Sequence, residues 1–160
     1  MKTIKILIIV LNLFVGGFLI YGGIEKFEGE IPKADKIIEQ VKKGENIAPN
    51  NEVLVLKNFI FGMKQTGYFW TFLGIAELLA GVLLVSQFFA RVGAIVALPI
   101  TLNILLFHVF LEPNHIDDLV LTTVLFIANL ALIGFTYKIW KPLLFDAVVF
   151  KLQKEIEVSH

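Results

Sequence analysis

One carboxylate and three carboxamides stand inside otherwise apolar runs of this chain, and any chemistry would start there. Glu77 lies in residues 68–85, 18 residues in which it is the single charge. Asn12, Asn103 and Asn129 lie in residues 6–24, 92–111 and 119–137, runs without Asp, Glu, Lys or Arg. A bare carboxylate in hydrocarbon is costly, so Glu77 should face an interior and be protonated or paired there. Such an acid can relay a proton or fix the polar part of a ligand. Together with asparagines it can equally act as hydrogen-bond glue between helices. By helical rise Glu77 is about 13–14 Å inside its run and Asn103 about 10 Å from the outer end of its own. Asn12 and Asn129 fall near the middle of theirs. Depth alone therefore predicts one polar cluster of Glu77, Asn103, Asn12 and Asn129 at the centre of a bundle.

His108 is a separate case, about 3 Å from the end of its run. Lys64, Tyr68, Glu112 and His115 come nearest to its height. It reads either as an interfacial histidine bonded to a loop or as a titrating group in an outer vestibule. Bis-histidine haem ligation needs two imidazoles facing across a pocket. His108 and His115 instead flank Pro113 in one loop, and His160 lies at the far end, so the sequence argues against haem. Glu112 and His115 are three apart, but Pro113 between them argues for a turn rather than a metal-binding helix face. The sequence has no cysteine, so the chain has no disulfide, thiolate nucleophile or thiolate metal site of its own. Nucleotide-binding glycine motifs, a GxSxG elbow and HExxH are also absent.

The elements that must position these residues are membrane helices. Hydrophobic residues make up 57% of the 160 and charged residues 18%, against about 45–50% and about 25% in ordinary globular chains. Mean hydropathy is +0.80, and the excess apolar side chains need a solvent other than water. Each of the four runs approaches the roughly 20 residues that cross about 30 Å of hydrocarbon as a helix. The chain thus reads as all-α: a polytopic membrane protein, one domain over residues 1–160, built as a four-transmembrane-helix bundle. Fourteen basic and 14 acidic residues cancel, which gives no electrostatic case for nucleic acid; the expected partner is the lipid bilayer. Lys2 and Lys5 precede the first run as in a signal peptide. The run is long and no small-residue cleavage site follows, so it reads as a retained span.

Lys2 and Lys5, Arg91, and Lys138, Lys141, Lys151 and Lys154 mark one side of the bundle, whereas residues 112–118 carry acids and no Lys or Arg. The positive-inside rule then puts both termini in the cytoplasm. Residues 25–67 form an extracytoplasmic segment with seven lysines and seven acids. Within it, residues 34–43 pattern as a short amphipathic helix that Gly44 can stop. Residues 53–63 are apolar but too short to span, and read as an interfacial or re-entrant piece over the bundle. Tyr68 and Trp70 anchor the start of the second span at the outer interface. Trp140, Lys141 and Pro142 mark the inner interface, and residues 143–152 read as a helix on the cytoplasmic leaflet, in a tail spanning 138–160. Gly16, Gly17, Gly22, Gly23, Gly74, Ala76, Ala80, Gly81, Ala90, Gly93, Ala94 and Ala97 offer small-residue spacings for close helix packing within the bundle, a motif that also serves homo-oligomers. Pro99 should kink the third span near residues 95–98.

In this arrangement the chain resembles the DoxX family of small bacterial membrane proteins. The resemblance rests on Gly16-Gly17 through Tyr21-Gly22-Gly23-Ile24-Glu25-Lys26-Phe27, and on Gly74-Ile75-Ala76-Glu77-Leu78-Leu79-Ala80-Gly81, similar to the family's G-x-x-E-x-x-x-G core. It continues in the segment from Leu98-Pro99 to Asn103 and His108, an N-x-x-x-x-H ending before an acidic-proline loop, and in Gly62-Met63-Lys64-Gln65-Thr66-Gly67-Tyr68-Phe69-Trp70. The resemblance implies four membrane helices in the bacterial inner membrane. It also points to relatives described as subunits of a terminal quinol oxidase or a thiosulfate:quinone oxidoreductase, and to one in a membrane complex handling oxidative stress.

Two functional expectations follow. In the first, the chain is a non-enzymatic membrane subunit or binder of a small apolar ligand, a quinone or a lipid, beside Glu77 and Asn103, with His108 and Lys64 at the outer mouth. In the second, it is a redox-associated subunit in which Glu77 or His108 relays a proton during quinone chemistry. The electron carrier would then sit on a membrane or extracytoplasmic oxidoreductase partner. A transporter would require an oligomer, since four short-looped helices do not enclose a pore alone.

Overall fold

The computed structural model describes residues 2–28, 39–40, 42–44 and 51–137. It contains five long helices: α1 (Lys2–Glu25), α2 (Asn51–Gln65), α3 (Phe69–Val85), α4 (Ala90–Leu111) and α5 (Ile116–Phe135). No strand occurs among the described residues. α1, α4 and α5 are each long and apolar enough to cross a membrane. α3 has 17 residues, about 25 Å of helix, at the short end of the spanning range. α2 precedes it at a bend of 88°, with Gly67 at φ +77° in the connecting turn. The short segment read as lying over the bundle is therefore a 15-residue helix set across the start of α3.

The spans extend beyond the apolar runs mainly through polar or charged ends. α1 starts at Lys2 rather than Ile6, α4 at Ala90 rather than Val92, and α5 at Ile116 rather than Leu119. Asp117 and Asp118 lie in the first turn of α5, where acids suit the positive end of the helix dipole. Of residues 34–43, the described part makes a helical turn, with Lys43 N donating to Glu39 O at 3.0 Å, and Gly44 follows at φ +69°. Trp140, the residues 143–152 read as a surface helix, and the rest of the tail lie outside the described residues.

α1, α3, α4 and α5 close into a ring in that order, with α1 against α3 the most extensive packing and α1 against α5 the least. The reason lies in the small residues. At the positions of Gly16 and Gly81 an added Cβ would meet the other glycine's carbonyl oxygen at 2.9 and 2.7 Å. Two turns further along, a Cβ on Gly23 would come within 3.1 Å of Gly74 O. Pairs seven residues apart on both antiparallel helices thus let the two backbones touch. Gly93 does the same for α4, where a Cβ would lie 2.9 Å from Leu84 N. In lipid, where apolar surface gains nothing by leaving the solvent, this close dispersion contact holds helices together. The buried centre is Val15, Leu19, Ala80, Leu84, Ala94, Ala97, Leu125, Ala128 and Leu132. Large apolar side chains such as Ile6, Ile9, Phe72, Leu79, Val124 and Ile127 point outward, as a lipid-facing surface requires.

Candidate functional site

The four polar residues expected to meet do not form one cluster. Asn12 donates to Gln87 Oε1 at 3.0 Å. Gln87, in the α3–α4 turn with φ +60°, donates in turn to Leu84 O at 3.1 Å. Asn12 therefore clamps α1 to a turn at the end of the bundle opposite α2. Its level on α1 is that of Val85, whereas Glu77 is level with Ile20, about 12 Å away by helical rise. The helices share no midplane: α1 overhangs α3 by several turns, so mid-run on one helix is not mid-run on the other.

Asn129 is fully buried and also structural. Oriented to satisfy its neighbours, its amide nitrogen donates to Ala94 O at 3.0 Å, and its oxygen accepts from Leu98 N and from the Thr101 hydroxyl, both at 3.1 Å. Ala94 O and Leu98 N are the partners a regular helix joins just before Pro99. α4 runs continuously through that proline. The Asn129 amide reaches the turn where the missing proline N–H leaves the backbone short of a donor. The residue taken for a site candidate thus secures α5 to a weak point of α4.

Glu77 does find a charge. Lys26, at the α2 end of α1, donates to Glu77 Oε1 at 2.9 Å and Oε2 at 2.7 Å. Side-chain exposure is 16% for Lys26 and 1% for Glu77. Helical side chains lean toward the helix N-terminus, and the Lys26 stem follows that lean, with Nζ 3.4 Å from Gly22 O. Its charge is thereby carried about one turn into the bundle. The same Nζ lies 5.4 Å from the centroid of the Trp70 ring, and Lys64 Nζ lies 4.8 Å from it. Both are within cation–π range. Lys26, the partner of Glu77, is not among the site residues expected from the sequence, although an intramembrane acid demands a cation within reach and Lys26 is the first one beyond the run of α1.

This pair forms part of the wall of a cavity of about 680 Å³. The wall takes Phe18, Tyr21, Gly22, Glu25 and Lys26 from the end of α1, Phe59, Ile60 and Met63 from α2, and Phe69, Trp70, Leu73 and Glu77 from α3. α4 adds Asn103, Ile104, Phe107 and His108, and α5 adds Asp118 and Leu121. Glu77, Asn103 and His108 therefore do share one space. Lys64 is not on that wall; it acts through Trp70. Tyr68 is exposed, sits one residue before α3 with its ring edge-on to Phe69, and is not on the wall either. Phe107 links α4 to the α2 lid through Phe59, ring centroids 5.9 Å apart. Asn114 donates to Glu52 Oε2 at 3.1 Å, tying the start of α2 to the α4–α5 loop.

His108 Nδ1 has a Glu112 carboxylate oxygen at 3.2 Å, one turn along the helix. The contact lies outside hydrogen-bonding geometry, and this buried nitrogen has no hydrogen-bond partner among the described residues. The cavity wall thus carries the His108 ring, the exposed Asn103 amide and a neutralised charge pair, between aromatic and aliphatic side chains.

The DoxX family model matches residues 7–109, from the first turns of α1 to the end of α4. The chain belongs to the DoxX family. Lys26, Trp70, Glu77, Asn103 and His108 all fall within the matched residues of this DoxX protein, whereas Asp118, Leu121 and Asn129 on α5 lie beyond them. No curated protein and no solved structure matches the chain.

Proposed function

We propose that this DoxX protein is a non-enzymatic membrane subunit or binding protein that holds a small apolar ligand in the cavity under α2. The observation that carries the reading is the cavity itself. Its size falls within the roughly 300–1,000 Å³ of small-molecule sites, and its wall pairs a mainly apolar lining with a few convergent polar groups. In the orientation given by the basic residues, both termini lie in the cytoplasm of a bacterium and the cavity opens in the outer half of the inner membrane. Glu77 and Lys26 neutralise each other, so an apolar molecule can lie beside them without facing a naked charge. Asn103 and His108 add hydrogen-bonding groups to the wall it lies against. Lipid and quinone extraction of the gently purified protein tests this. One small molecule retained per chain supports it; recovery of bulk phospholipid alone removes it.

A second reading is favoured by the placement of Glu77 and His108 on one wall. There the protein is a redox-associated subunit of a quinone-linked complex, moving protons at those two groups while a partner carries the electrons. Membranes containing Glu77→Gln should then lose quinone-linked activity with the protein still folded. Equal activity in wild-type and variant membranes would sink this second reading.

A further inference from the structure

Charge distinguishes the mouth of the cavity from its floor. The floor is Glu77 with Lys26, which bonds both carboxylate oxygens. Glu25 on α1 and Asp118 on α5 are the remaining acids on the wall, and both are exposed. Glu25 accepts from the Tyr21 hydroxyl at 3.0 Å. Asp118 has His115 Nδ1 at 3.7 Å, with both side chains more than half exposed. Neither acid forms an ion pair with a lysine or arginine among the described residues. One lysine against three carboxylates leaves a formal charge of −2 on the wall. Glu25 and Asp118 come from α1 and α5, the pair of neighbours in the ring that pack least. Tyr21 and Leu121, also exposed and on the wall, belong to the same two helices. The cavity therefore reaches the loosest seam of the bundle, and that seam carries two negative charges beside an aromatic ring.

Resting on the reading of the cavity as a ligand site, we propose that its ligand is a lipophilic cation, an amphiphile with an amine or onium head, admitted from the bilayer between α1 and α5. The head lies between Glu25 and Asp118 and against the Tyr21 ring, an arrangement that combines opposite charge with an aromatic face. The apolar body fills the space lined by Phe69, Leu73 and Phe107. An anion of the same shape meets the two acids and gains nothing from Lys26, which Glu77 already occupies. Attraction to two acids at the mouth makes a preference of about tenfold for the cation.

The test is equilibrium dialysis of the full chain in phosphatidylcholine nanodiscs, corrected for partition into protein-free discs. Tetraphenylphosphonium is the cation, tetraphenylborate its isosteric anion and triphenylmethane a neutral probe. The expected result is saturable binding of tetraphenylphosphonium at one per chain, absent in Leu121→Trp. It should be about tenfold weaker in the Glu25→Gln/Asp118→Asn double variant. Both acids are exposed, so that variant keeps its fold. Binding of tetraphenylborate or triphenylmethane as tight as that of the cation would overturn the charge assignment while keeping the cavity as a ligand site, as would indifference to the double variant. Loss of saturable binding for all three probes would overturn the ligand-site reading and the charge assignment with it.

Discussion

The two ends of the bundle solve the membrane problem in different ways. At the end carrying the α3–α4 turn, glycines bring α1, α3 and α4 into backbone contact. The asparagines there satisfy the protein's own groups: Asn12 the turn through Gln87, and Asn129 the helix around Pro99. At the α2 end α1 and α3 still touch at Gly23 and Gly74, but large aromatic side chains of α2, α3 and α4 face a cavity of about 680 Å³, and His108 Nδ1 has no hydrogen bond among the described residues. Buried polar groups in membranes are expensive unless partnered. Where the fold partners them internally, they are structure. Where it leaves a cavity beside them, they are available to something else. The Lys26–Glu77 pair sits on the boundary, satisfied internally and yet part of the cavity wall.

Several substitutions would break or sharpen this contrast. The largest effect belongs to Lys26. Lys26→Ala leaves the Glu77 carboxylate buried and alone, and removing one partner of a buried pair costs about 3–5 kcal/mol. Thermal denaturation in detergent should show this, with Lys26→Met/Glu77→Leu recovering most of the loss. If Lys26→Ala melts like the wild type, the ion pair is not what holds α1 to α3 at that end. Next comes Gly81→Ala, which would push a methyl into Gly16 O and Ile20. Overpacking of this kind costs about 1–3 kcal/mol, whereas Gly134→Ala, which meets nothing within 4 Å, should leave the melt unchanged. A smaller effect is expected at the tight end's polar clamp. In a double-mutant cycle, Asn12→Ala and Gln87→Ala should couple by about 0.6–2 kcal/mol; simple additivity would show that the clamp contributes no energy. The smallest stability effect is expected for Leu73→Trp, which fills open space at the α2 end and should shift stability by less than about 1 kcal/mol while removing whatever the cavity holds.

How much of this was legible in the sequence divides along the same boundary. The spans were readable because 18 to 20 apolar residues in a row have one common solution in a bilayer. The glycine packing was visible as small residues at close spacing, and the interfacial segment as an apolar run too short to cross. The partners of the buried polar groups were not. Depth was counted along each helix separately, and helices of 24 and 17 residues do not share a midpoint. That placed Asn12 beside Glu77, when a turn residue, Gln87, was its partner. Asn129 looks like a site in the sequence because nothing there links it to Pro99, whose disturbed backbone it satisfies. Lys26 lies outside the apolar run, yet its side chain reaches about one helical turn back into it. Helical rise puts Glu77 and Asn103 at similar depth and His108 apart from them; that all three line one cavity comes from the packing of the helices. The cavity between them was not legible, since the large aromatics that line it look the same in sequence as those that face lipid.

The most direct test of the contrast is native mass spectrometry of the wild type beside Leu73→Trp, both released from the same gentle detergent. A ligand site predicts a discrete small-molecule adduct on the wild type that disappears from Leu73→Trp with its melting temperature kept. The same adduct on both proteins, or none on either, would contradict it and leave the cavity as a packing consequence of its aromatic walls.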